Sequence, residues 1–178
     1  MDLPVPEEEE TGEKSVERAF NRHISMLRWG GLNERWRAAD ALAEFADERA
    51  VEPLIEALDD DYADVRWRAA TALGILDGRE AVTPLIHCLE DESSWVRMAA
   101  ARSLGQIGDP RAVDPLIRLL GDEKPRVRRE AALALGRIGN PLARDALLRL
   151  LDDTDRDVRE AARQALAEIG IRGEASTA

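Results

Sequence analysis

One period governs this chain. Val65-Arg66, Val96-Arg97, Val127-Arg128 and Val158-Arg159 recur every 31 residues, as do Pro53, Pro84 and Pro115, with Ala146 in the fourth slot. Ala38-Ala39, Ala69-Ala70, Ala100-Ala101 and Ala131-Ala132 keep the same register. No insertion breaks it from Glu17 to Ile171, which gives blocks 17–47, 48–78, 79–109, 110–140 and 141–171. A unit this short cannot bury its apolar face alone, so a strict period means a stacked solenoid. Residues 1–16, with net charge −5, and 172–178 are read as flexible tails.

Each block holds two helix-period segments. In the fourth, the first runs from about Pro110 to Leu120, with Asp109 as cap and proline just inside. Pro115 removes a backbone donor within it, which predicts a kink or a late start. The second segment runs from about Arg126 to Ile138 and stops at Gly139. Asp60, Asp91, Asp122 and Asp153 mark the turn between the two. In block 48–78 the helical period places Val65, Ala69, Ala72, Leu73 and Leu76 on one face, and Asp64, Trp67, Thr71 and Ile75 on the other. The first face is core, with alanines that let helices approach closely. The second faces solvent or a partner.

The string Val127-Arg128-Arg129-Glu130-Ala131-Ala132-Leu133-Ala134-Leu135-Gly136-Arg137-Ile138-Gly139 resembles the HEAT-like repeat of the phycobilisome-lyase type. So does Gly108-Asp109-Pro110-Arg111-Ala112-Val113-Asp114-Pro115-Leu116-Ile117. The resemblance covers blocks two to five clearly and the first in degenerate form. It implies an all-α, right-handed α-solenoid of five helix pairs, about ten helices, whose second helices line a concave binding surface. It also implies a ladder between adjacent repeats, formed here by Asp60/Arg66, Asp91/Arg97, Asp122/Arg128 and Asp153/Arg159. The aligned arginines are therefore read as structural and not as an anion site, because each has an Asp in register to accept its hydrogen bonds. The first block keeps Arg35 but has Trp29 in the Asp slot, which counts against a rung there. His23 in a Leu slot, Glu34 in the Val slot and Arg163 in an Ala slot read as end caps of a finished stack.

Catalytic chemistry finds few footholds. One cysteine excludes a disulfide framework or a multi-cysteine zinc site and fits a reducing, cytoplasmic setting. Cys88 shares its slot with Ala57, Leu119 and Leu150, a core position, so a buried structural thiol is expected. His87 falls on a surface slot. A di-iron hydroxylase is also built from HEAT repeats, with several His-Glu pairs as ligands. Here His23 precedes Ile24 and His87 precedes Cys88, so neither a metal nor a cofactor is expected. The acidic pairs, such as Asp59-Asp60 and Asp152-Asp153, lie in turns and read as solvated.

The outward stripe of the second helices carries the informative side chains. It reads Asn33, Trp36, Asp40, Glu44; then Asp64, Trp67, Thr71, Ile75; then Trp95, Met98, Arg102, Gln106; then Arg126, Arg129, Leu133, Arg137; and finally the polar Asp157, Glu160, Gln164, Glu168. All seven aromatics of the chain lie between Phe20 and Trp95. With the core slots filled by Val, Ala and Leu, the tryptophans have nothing internal to cover, and Trp, Met and Arg are the types enriched in binding hot spots. The opposing reading is that the indoles seal their own repeat junctions. Charge is uneven: block 48–78 is net −5 and block 110–140 net +3, within an overall charge of −11. That total disfavours nonspecific nucleic-acid binding.

The expected function is thus a non-enzymatic, monomeric protein-binding or scaffold module. Its anchors are Trp36, Trp67, Ile75, Trp95 and Met98, and Arg102, Arg126, Arg129 and Arg137 give selectivity for a partner with an apolar anchor and an acidic stretch. The protein's own Leu3-Pro4-Val5-Pro6 followed by Glu7 to Glu10 has that character. The resemblance also implies an alternative, a subunit of a bilin lyase or a chromophore-protein chaperone.

Overall fold

The structure is a computed structural model that describes residues 12–175, with side chains as far as Gly170. Among these residues there are ten α-helices and no strand. The first pair is α1 (Gly12–Trp29) and α2 (Leu32–Phe45). Then follow α3 (Val51–Glu56) with α4 (Ala63–Ile75), α5 (Val82–His87) with α6 (Ser94–Ile107), α7 (Val113–Leu119) with α8 (Pro125–Ile138), and α9 (Arg144–Arg149) with α10 (Arg156–Ala175). The chain is an all-α solenoid. Helix α1 begins at Gly12, inside the segment read as tail, and its Glu17 pairs with Arg49 at 2.8 Å.

The first helices from the second repeat onward start late. Asp47, Asp109 and Asn140 each accept a hydrogen bond from the backbone N–H two residues on, opening a 3₁₀ turn that carries proline at its start in the last two. The α-helix proper begins only after that turn, so Pro115 falls in the first turn of α7, where its missing N–H costs nothing. There is a late start and no kink. The second helices are opened by the turn aspartates: Asp60 Oδ1 accepts from the Tyr62 N–H at 2.9 Å, and Asp91, Asp122 and Asp153 repeat the bond. Gly108 and Gly139 close α6 and α8 with φ of 72° and 73°, the left-handed turn that glycine adopts without strain.

Leu42, Leu73, Leu104 and Leu135 occupy one slot in successive second helices and are fully buried. Beside them the second helices touch almost backbone to backbone. A Cβ built on Gly105 would lie 2.7 Å from Ala134 Cα, and one on Gly136 would lie 2.7 Å from Ala165 Cα. The first helices do not come that close to one another. A two-layer stack bends toward its more tightly spaced layer, so the second helices line the inner face.

Each ladder arginine but the last bridges two repeats; Arg159, in the final repeat, donates to the carbonyls of Asp153 and Thr154 of its own repeat. Arg66 donates through Nε and Nη2 to Asp91 of the next repeat at 2.7 and 3.0 Å, while its Nη1 donates to the carbonyl of Asp60 in its own repeat at 2.9 Å. Arg97 binds Asp122, and Arg128 binds Asp153, in the same way. The ion pair therefore joins residues 25 apart; between members six apart the arginine meets the backbone carbonyl. The first repeat does have its rung. Arg35 pairs with Asp60 at 2.9 Å, because the Asp slot of any repeat serves the arginine before it, and Trp29 leaves Arg35 untouched. Arg128 holds the Asp153 carboxyl below its ordinary value, chiefly through these hydrogen bonds.

Candidate partner-binding face

The aromatic stripe lies on the inner layer but is less free than its sequence suggests. Trp36 and Trp67 are half-buried and pack against the apolar core, so the expectation that they have nothing internal to cover fails. An indole is large enough to fold back from the outward stripe onto the junction beside it. Arg68 locks the arrangement. Its guanidinium lies 4.2 Å from the Trp67 ring centroid and 5.5 Å from that of Trp36, and it pairs with Asp40 at 2.9 Å. Arg37 also approaches the Trp36 ring, at 5.3 Å from its centroid.

Further along, the surface opens. The Trp95 ring lies 6.1 Å from that of Trp67, and Arg126 approaches it at 5.9 Å, yet Trp95 remains 52% exposed. Between the N-terminal ends of α6 and α8 lies a groove of about 380 Å³, lined by Ser94, Trp95, Met98, Lys124, Arg126 and Asp155 among others. Its lining is mostly apolar and carries two cations, Lys124 and Arg126, and one acid, Asp155. Ile75 is exposed but sits near the far end of α4, away from this groove.

Three of the expected selectivity arginines have different surroundings. Arg102 donates through Nε and Nη2 to Glu130 at 3.2 and 3.1 Å, and Arg129 Nη1 donates to Glu130 Oε1 at 3.2 Å. Glu130 is 2% exposed, a buried carboxylate under two guanidinium groups, and its hydrogen bonds raise the pKa of Arg102. Arg137 is exposed, has no ion pair among the described residues, and stands in the last turn of α8, outside the groove lining, so the structure does not group it with Arg126 at that groove.

Glu130 and Arg68 were not among the expected site residues. Both occupy the slot shared by Arg37, Ala99 and Ala161, which gives no hint of a conserved task. Trp29 was also missed. It is the most exposed large apolar residue described, at 84%, and it flanks a second groove with Arg28, Arg35, Pro53, Glu56 and Asp60. Its position in a turn slot that is otherwise Asp was the available signal. The apolar Leu3–Pro6 segment lies outside the described residues.

Cys88 is buried, and burial pushes its thiol pKa up to about 12. The expected result is that the native protein at about pH 8 does not react with a thiol reagent, while the urea-unfolded chain reacts with one equivalent. Rapid labelling of the folded protein would show an accessible thiolate. Among the described residues, no group of three or more His, Cys, Asp or Glu could hold a metal ion, and no helix is long and apolar enough to cross a membrane.

Stacked helix pairs with a shared core and an Arg–Asp ladder define an α-solenoid repeat protein. The profile of the HEAT repeats matches residues 33–100 and 82–167, and the chain belongs to the HEAT-repeat family, in its phycobilisome-lyase-like form. Among solved structures it is similar to the complex of CpcE and CpcF of phycocyanin lyase from Nostoc sp. PCC7120, at 31% identity over 87% of this chain and 67% of that one, with a TM-score of 0.78. Human deoxyhypusine hydroxylase in complex with glycerol is 26% identical over 87% of this chain and 75% of that one, with a TM-score of 0.60. A designed armadillo repeat protein in complex with the peptide (KR)4 shares the fold at 22% identity and a TM-score of 0.68, covering 88% of this chain and 84% of that one. A comparison with curated proteins gave no match.

Proposed function

We propose that this protein is a non-enzymatic binding module that takes a protein or peptide partner on the inner face formed by its second helices. The observation that carries the reading is the groove at Trp95 and Met98. The equivalent slots of Trp95 in the other repeats hold Asn33, Asp64, Arg126 and Asp157, so the repeat does not require an indole there. A half-exposed Trp beside a Met, with Lys124 and Arg126 in the same lining, has the composition of an interface hot spot. Trp36 and Trp67 then act as the stiff floor that supports Trp95, and Trp67 touches the binding surface through its ring contact.

The test compares immobilised wild-type protein with the Trp95→Ala/Met98→Ala variant. Partner retention should fall by about 2 kcal/mol or more in affinity, with the helical circular-dichroism spectrum unchanged. Equal retention by both proteins would overturn the reading.

The second reading is a bilin-handling role, favoured by the likeness to the phycocyanin lyase complex. The same groove would offer an indole face to a flat tetrapyrrole and two cations to its propionates. Titration with a bilin, monitored by visible absorbance, should give a red or blue shift that Trp95→Ala abolishes. An unchanged spectrum discards this alternative.

A further inference from the structure

We infer that the inner face reads a specific spacing in its partner: an apolar side chain seated on Trp95 and Met98, followed two or three residues later by a carboxylate held between Arg102 and Arg129. This rests on the proposed binding role and adds the chemistry and register of the ligand.

The basis is Glu130. Its slot is occupied by alanine in two other repeats, so the fold does not need a buried acid there. Burying a carboxylate is costly unless strong hydrogen bonds compensate for it. Here two guanidinium groups converge on one oxygen, Arg102 Nη2 at 3.1 Å and Arg129 Nη1 at 3.2 Å from Glu130 Oε1. Both arginine side chains stay about half exposed, at 49% and 46%. Arg102 spends Nε and Nη2 on Glu130 and keeps Nη1; Arg129 spends Nη1 and keeps Nε and Nη2. Two cations fixed by one anion leave a net positive pair with outward donors already in place. Glu130 is thus a positioning residue, and the pair it positions suits an incoming carboxylate.

Position along the helices sets the spacing. Trp95, Met98 and Arg102 lie on one face of α6, three and four residues apart. Arg126 and Arg129 lie opposite on α8, and the groove mouth lies between the Trp95 and Arg126 ends. At a rise of about 1.5 Å per residue, Arg102 lies ~6 Å from Met98 and ~10 Å from Trp95 along the axis. An extended peptide covers that span in two or three residues at about 3.3 Å each. The chain's own Val5 precedes Glu7 and Glu8 by this interval, but it stands seven residues from Gly12, a reach of ~25 Å. Gly12 lies beyond the Phe45 end of α2, where Phe20 meets Phe45 edge to face at 5.5 Å. That is a helix length away from the Trp95 end and two repeats to the side, ~30 Å in all. The occupant is therefore an acidic peptide from another molecule.

The test is an NMR titration of the full chain with synthetic ten-residue peptides of Gly and Ser carrying one Leu and one Glu, at about 150 mM salt. With Glu three residues after Leu, the Trp95 indole and the Arg102 and Arg129 Nε–H resonances should shift together. Replacing the peptide Glu by Gln, or moving it six residues away, should weaken binding about fivefold, and Arg129→Ala should erase that difference. Arg129→Ala leaves Arg102 on Glu130, so the fold is retained; Arg137→Ala, outside the strip, should change binding less than twofold. Glu and Gln peptides binding equally, with Trp95 still shifting, would overturn the spacing rule and leave the binding role standing. If Arg137→Ala weakens binding as much as Arg129→Ala, diffuse charge attraction replaces the rule. No shift at Trp95 with any peptide counts against both.

Discussion

Replacing Gly105 with valine should lower the stability of this protein by roughly 3 kcal/mol, the largest loss expected from a single added side chain. The reason is local. The new Cβ would meet Ala134 Cα at 2.7 Å and Ala134 Cβ at 2.8 Å, and the first of these is backbone that cannot rotate away. Relief requires α6 and α8 to separate, which opens gaps around the fully buried Leu104 and Leu135. Gly170 supplies the control. It lies in α10 with nothing within 4 Å of its would-be Cβ, so Gly170→Ala should stabilise by roughly 0.8–1 kcal/mol through helix propensity alone. Urea unfolding monitored by circular dichroism reads both. A neutral Gly105→Val would show that the inner layer is not packed as tightly as described.

The second large effect belongs to the ladder. Arg97→Ala should cost about 3–5 kcal/mol, because it leaves Asp122 almost wholly buried without its cation. Arg97 also donates to the carbonyls of Asp91 and Glu92 at 2.8 and 3.2 Å, so the deletion takes a donor away from three groups at once. A double replacement, Arg97→Met with Asp122→Leu, removes the stranded charge and should recover most of the loss. Recovery should stop about 1 kcal/mol short, since Asp122 Oδ1 also accepts the Lys124 N–H at the start of α8. If the single variant unfolds at the wild-type urea midpoint, the ladder adds nothing to the junctions.

The solenoid was legible because its period is unbroken and because small residues recur where helices must meet. Gly74, Gly105 and Gly136 share one slot, and Ala72, Ser103, Ala134 and Ala165 share the slot they press against. The binding face was only half legible. A helical period gives the direction in which Trp67 leaves the helix, but not how far a ring folds back onto Arg68 and the junction below. Arg102 looked free for the same kind of reason: its ion pair with Glu130 joins residues 28 apart, an offset outside the six-residue Asp–Arg pattern. Arg68 with Asp40 spans the same 28-residue offset with the signs exchanged. Such diagonal pairs depend on which long side chains happen to face each other across a junction, and each repeat answers differently.

The unequal spacing of the two helix layers has a mechanical side. Where Gly105 rests on Ala134 and Gly136 on Ala165, the inner seam is already at contact and cannot shorten. In the outer layer α3, α5 and α9 are short α-segments with a 3₁₀ turn at each end, which leaves the slack on that side. Any flexing must therefore pivot on the inner seam and be taken up outside, as a hinge strip takes up the swing of a door. A ligand seated across α6 and α8 sits on that pivot. It would meet a surface whose dimensions hold steady while the back of the molecule breathes.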